Sequence, residues 1–83
     1  MQILQVEGSL TCTCRIPGLK HAALRVLRDE KGKRLVATDP VGAEPGNWIF
    51  VTSGSAARYT AGDFEILTDL AICGIIDQWP DKE

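Results

Sequence analysis

Histidine, methionine and aromatic side chains are all scarce in this chain: one His, one Met, two Trp, one Tyr and two Phe occur among 83 residues. The lone histidine, His21, follows Lys20 in a polar turn with no nucleophile motif such as G-x-S-x-G, so it reads as a solvent-exposed loop residue. Charge of one dominant sign is missing as well. Nine Lys and Arg face eleven Asp and Glu, and the densest basic stretch is only Lys31-Gly32-Lys33-Arg34 in a turn. Such a pattern offers few cations to displace counterions from a phosphate backbone, so no nucleic-acid partner is expected. No apolar run approaches the roughly 18 residues of a membrane span, which removes the membrane as an expected partner. The stretch Met1 to Glu7 has no basic region, apolar core and small-residue cleavage site, so a cytosolic chain is expected.

Cysteine is present but odd in number, three in all, far from the density of a disulfide scaffold. No disulfide is expected. Cys12 and Cys14 stand two apart, about 7 Å along a strand, which is a poor zinc clip with only Cys73 and His21 left as further ligands. Both are expected as small buried residues on the core face of a strand. The carboxylates Asp29, Glu30, Asp39, Glu44, Asp63, Glu65, Asp69 and Asp77 sit mostly beside turns or strand ends, and no spacing singles out an acid/base pair. Solvated loop positions account for most of them. Without catalytic residues, a metal site or a cofactor motif, no enzyme is expected.

What remains is an ordinary globular composition, 45% hydrophobic and 24% charged, in a chain long enough for one domain over residues 1–83 and near the lower limit for a self-sufficient core. Leu4, Val6, Gly8, Leu10, Cys12, Cys14 and Ile16 alternate with polar residues, which predicts one long strand with a single buried face. Gly8 is its natural bulge, and Pro17-Gly18 ends it. Further strands are predicted at about Ala23–Arg28, Arg34–Thr38, Trp48–Val51 and Ile72–Trp79. Asp29–Lys33 forms a hairpin loop, and Asp39-Pro40 with Gly42–Gly46 forms a second turn-rich connection. Ser53 or Ser55 can cap a short helix, and Thr68-Asp69 can cap another single turn. The fold class is therefore all-β: a small, partly open, five-stranded OB-like barrel with a short helix before the last strand.

Strands four and five are apolar at successive positions, Trp48, Ile49, Phe50 and Val51, then Ile75 and Ile76. A small barrel covers one face of each strand, so the other face needs a loop, a helix or another subunit. In so short a chain a second copy is the expected cover, which puts Trp48 and Phe50 at a subunit interface. Burying one Ile or Phe is worth roughly 1.5–3 kcal/mol, enough for a few such residues to favour an oligomer.

The segment Ser53-Gly54-Ser55-Ala56-Ala57-Arg58 combines small residues, which permit close backbone approach, with a helix start; an ordinary capped turn is the alternative reading. Taken in order, Gln2-Ile3-Leu4-Gln5-Val6, Val36-Ala37-Thr38-Asp39-Pro40-Val41-Gly42-Ala43, Pro45-Gly46-Asn47-Trp48, Gly54-Ser55-Ala56-Ala57-Arg58, Thr68-Asp69-Leu70 and Gly74-Ile75-Ile76-Asp77-Gln78-Trp79 resemble the EutN/CcmL family of bacterial microcompartment vertex proteins. The length and the Gly-Ile-Ile-Asp-Gln-Trp ending are most similar to its α-carboxysome branch. The resemblance implies a homopentamer that fills the corners of a polyhedral shell of hexameric proteins, enclosing Rubisco and carbonic anhydrase for CO₂ fixation in the bacterial cytoplasm. It further implies that Ser53, Gly54 and Ser55 line the five-fold pore, with Ala57 beside the axis and, like Arg58, at the subunit interface. Cys12, Cys14 and Cys73 depart from the family pattern. A vertex protein of a catabolic microcompartment, or an OB-type binder of nucleic acid or oligosaccharide, remain the alternatives; the second calls for a basic groove studded with aromatics.

Overall fold

The computed structural model describes residues 1–12 and 14–78, and in it β1 (Gln2–Ser9), β2 (Leu24–Arg28), β3 (Arg34–Thr38), β4 (Trp48–Ser53) and β5 (Leu70–Ile75) form a single sheet. The strands are ordered β1-β2-β3-β5-β4, and β4 pairs back on β1 to close a barrel. All neighbours are antiparallel except β3 and β5, which run parallel and meet at Thr38 and Ala71. The five-stranded OB-like barrel thus forms as expected, but it is closed where a partly open one was anticipated. Closure removes the free sheet edges that would otherwise invite unwanted pairing.

Alternation places the core. Leu4 and Val6 of β1, Leu27 of β2, Ala37 of β3, Ile49 and Val51 of β4 and Ile72 of β5 meet inside, joined by Ala43 from the β3–β4 connection. The register is coherent with this: Leu4 faces Ile49 and Val6 faces Leu27. The expected bulge falls where Gly8 suggests, since pairing jumps from Val6 with Leu27 to Gly8 with Val26 and leaves Glu7 as the extra residue. A second irregularity lies between β4 and β5, where Phe50 pairs with Gly74 and Val51 with Ile72, leaving Cys73 unpaired. Gly74 is needed there for space: a Cβ would stand 2.7 Å from Phe50 Cε1.

Three expectations fail, the first for want of a hydrogen-bonding partner. β1 ends at Ser9, not Ile16, because β2 begins only at Leu24; Leu10 N–H reaches the Leu24 carbonyl at 3.0 Å and the ladder stops. Cys12 and Cys14 are therefore exposed in a connecting segment and do not line the core. Pro17–Leu19, read as a plain strand end, forms a turn of 3₁₀ helix. Thr68-Asp69 starts no helix: the Thr68 hydroxyl donates to the Leu70 carbonyl at 3.0 Å and anchors the start of β5. β5 itself begins at Leu70 and ends at Ile75, and Trp79 lies outside the described residues.

Candidate functional site

The small-residue segment forms an exposed tip at the end of β4. Ser53 closes the strand, Gly54 takes φ +71°, and Ser55 is the residue before α1 (Ala56–Thr60). The left-handed conformation at Gly54 lets the chain turn directly from strand to helix, and a side chain there would be strained. The turn is tied down by backbone alone: Gly54 N–H donates to the Asp69 carbonyl at 2.9 Å, and its own carbonyl accepts from Ala57 N–H at 3.1 Å. Ser55 occupies the cap position but its hydroxyl makes no capping bond. Ser53, Gly54 and Ser55 are all exposed, so the tip presents small polar groups to its surroundings.

Behind the tip, α1 packs against β4 and β5. Ala57 is fully buried in this contact, as is Ala71 of β5. Ala57, expected at the subunit interface, has its methyl covered within its own chain, where a small side chain lets the helix approach the sheet. Arg58 stays half-exposed. Its guanidinium stands 5.5 Å from the centroid of the Phe64 ring, which in turn lies 4.8 Å from that of Tyr59. Arg58 Nη1 also donates to the Phe64 carbonyl at 3.4 Å. Among the described residues Arg58 pairs with no carboxylate; the ring and carbonyl of Phe64 are its partners.

The outer faces of the strands confirm that one barrel leaves apolar surface uncovered. Ile3 on β1 is 45% exposed and faces Phe50 across the pair; Phe50 and Trp48 are half-buried. On the far side, Val36 on β3 is 47% exposed. His21 is exposed, as expected of a loop histidine. Among the described residues no group of three or more His, Cys, Asp and Glu is placed to hold a metal ion, and no helix is long and apolar enough to cross a membrane.

A carboxylate was also misread from sequence. Asp39 is no solvated loop carboxylate but a buried organiser of the β3–β4 connection. It accepts the N–H groups of Val41, Gly42 and Ala43 at 2.9–3.0 Å, while its Oδ2 stands 2.9 Å from Arg25 Nε. Arg25 further donates to the Ala43 carbonyl and to Ser9 Oγ, tying β1, β2 and the connection together. The Asp-x-x-Gly spacing of Asp39 and Gly42 is the turn signature that could have revealed it. At the surface, Lys20 Nζ approaches Asp63 Oδ2 to 2.6 Å. That hydrogen bond, with one from Glu65 N–H, holds the Asp63 carboxyl below its usual range, and the same Lys20–Asp63 bond raises the lysine.

These features define a class: a small closed barrel with an exposed polar tip and unburied outer apolar faces, the anatomy of a self-assembling subunit. A family model described as "Ethanolamine utilisation protein EutN/carboxysome" matches residues 1–77. The chain is 57% identical over 79 residues to the carboxysome shell vertex protein CsoS4B of Halothiobacillus neapolitanus, covering 95% of this chain and 98% of that one. To CsoS4A of the same organism it is 45% identical over 95% of this chain and 96% of the relative. The solved structure of that CsoS4B superposes with a TM-score of 0.88, at 56% identity over 94% of this chain and 100% of the other. A pentameric shell protein from the RMM microcompartment superposes at 0.85, with 27% identity over 100% and 98% of the two chains. The chain belongs to the EutN/CcmL family of microcompartment shell vertex proteins, and its role is structural.

Proposed function

We propose that residues 1–83 form one vertex domain whose homopentamer caps the corners of an α-carboxysome shell in the bacterial cytoplasm. A sheet of hexagonal tiles cannot close without pentagonal defects, and a five-fold ring supplies them. Its partners are then other copies of itself and the hexameric shell proteins of the facets, and the closed shell retains CO₂ around Rubisco and carbonic anhydrase. The chain does no chemistry of its own.

The observation that carries this reading is the apolar surface left on the outside of a closed barrel, at Ile3 and Phe50 on one side and Val36 on the other, in a chain 57% identical to a carboxysome shell vertex protein. Assembly would cover that surface. Trp48, Phe50 and Arg58 are assigned to the subunit interface, and Ser53, Gly54 and Ser55 to the rim of the axial pore. Five copies of that tip would ring the axis with hydroxyls and backbone amides, narrow and uncharged.

Native mass spectrometry at micromolar concentration tests the reading. A mass of five 9.0 kDa chains is expected, with five-fold rings in electron micrographs. A stable monomer at that concentration overturns it.

A further inference from the structure

A closed five-fold ring is built from heterologous contacts: each subunit must offer two different patches, one for each neighbour. Two apolar patches stand on different sides of this barrel. The first is a groove of about 460 Å³ over the β2–β3 seam. Leu10, Ile16, Leu19, Leu24, Val36 and Leu67 line it. Leu10, Ile16, Val36 and Leu67 are each between 37% and 58% exposed. The groove is preformed: Leu67 N–H donates to the Gly18 carbonyl at 2.8 Å, which fastens the segment carrying Leu67 to the turn carrying Leu19. The second patch is a ridge on β1 and β4, where Ile3 and Phe50 face each other in register and Trp48 follows two residues along. In the strand order β1-β2-β3-β5-β4, β4 lies across the barrel from the β2–β3 seam, so the two patches can serve two neighbours at once.

The rims differ in charge. Arg15 and His21 line a cleft that shares Arg15 and Ile16 with the groove, whereas Asp29 and Glu30 line a cleft with Ile3 beside the ridge, together with Lys31. The geometry points to the ridge of one subunit, Ile3 and Phe50 foremost, seating in the groove of the next, against Val36 and with Arg15 near the neighbour's Glu30. This pairing rests on the pentamer proposed above and says how the ring is joined. It also gives the exposed cysteines a place: Cys12 and Cys14 line the same groove and are covered when the ridge enters.

The native thiols provide a test that needs no mutation. Maleimide labelling of Cys12 and Cys14, read by peptide mass, should slow by about tenfold or more in the assembled ring relative to diluted subunits, since reactivity follows access. Equal rates in ring and subunit overturn the pairing. In parallel, Ile3→Glu and Val36→Glu change residues that are already about half exposed, so each barrel should fold, by circular dichroism, and lose the pentamer peak. Mixed in equal amounts, they should associate as a heterodimer and go no further, because the first retains a groove and the second a ridge. A pentamer from either variant, or no association on mixing, overturns the pairing. A wild-type chain that forms no pentamer overturns the vertex reading instead, and a pentamer that tolerates both substitutions removes only the pairing.

Discussion

Replacing Asp39 tests the architecture of the subunit most sharply. Its carboxylate accepts three backbone N–H groups and faces the Arg25 Nε, all within 3.0 Å. Val41 and Gly42 are exposed, so water can replace the carboxylate for their amides in an alanine variant. Ala43 is buried and the Arg25 side chain is only 20% exposed, so the loss concentrates on those two groups. Removing one partner of a buried, hydrogen-bonded ion pair costs about 3–5 kcal/mol, and that is the expected loss for Asp39→Ala. Asp39→Asn keeps an oxygen for Val41 and Gly42 but turns an NH₂ group toward two donors, so about 2–3 kcal/mol is expected. In a domain of this size each kcal/mol moves Tm by about 4–8 °C, which puts the alanine variant at least about 12 °C below the parent. Urea denaturation followed by tryptophan fluorescence reads the change, at one fixed protein concentration because assembly adds to apparent stability. In a double-mutant cycle Asp39→Ala and Arg25→Met should be strongly non-additive. A loss below about 1 kcal/mol for Asp39→Ala, typical of a surface position, refutes the reasoning.

Gly74→Val should cost about 1–3 kcal/mol, because its Cβ would stand 2.7 Å from Phe50 Cε1 and the ring must move; Phe50→Leu in the same chain should recover part of the loss, as denaturation midpoints will record. Ala57→Glu should unfold α1 and lower the Tm of the dissociated subunit, since the new carboxylate would enter fully buried space. A variant that weakens only the ring, with the diluted subunit unchanged, contradicts the packing described for α1. The Asp63 carboxyl should titrate below the ordinary aspartate range by NMR, and Lys20→Met should move its midpoint up, though not fully, because the Glu65 N–H remains. The sign follows from the direction of each shift. The depressed Asp63 favours the fold above its unfolded pKa and loses that favour as pH falls through its lowered folded value. The raised Lys20 favours the fold below its own unfolded pKa and loses it as pH rises through the raised one. An unmoved Asp63 midpoint in the lysine variant counts against the pair.

The strands were legible wherever alternation and turn chemistry agreed. Arg34–Thr38 lies between a hairpin loop and Asp39-Pro40 and formed over those residues; Trp48–Val51 was extended only to Ser53. The bulge at Gly8 was legible because glycine interrupts an otherwise regular pattern. Leu10 to Ile16 shows the limit of the method. Its alternation is as regular as that of β1, but a strand exists only where a neighbour supplies the other half of the ladder, and pairing partners are a property of the whole chain. The burial predicted for Cys12 and Cys14 failed with it.

Burial of polar and small groups was the least legible. Asp39 and Asp63 both sit near turns, yet one lies against Arg25 inside the protein and the other pairs with Lys20 at the surface. Ala57, beside an exposed tip, turned out to be a contact of the helix with its own sheet.

By itself the sequence determined the all-β class, the order of the elements, the short helix and the surplus of apolar positions on β4, because period-two alternation and turn residues are local physics. Tertiary structure alone decided that β3 pairs with β5 and β4 returns to β1 to close the barrel, that Asp39 is buried, and that the spare apolar surface divides into a groove and a ridge on different sides. Those outcomes depend on which residues, distant along the chain, come to share a face, and no local pattern encodes that.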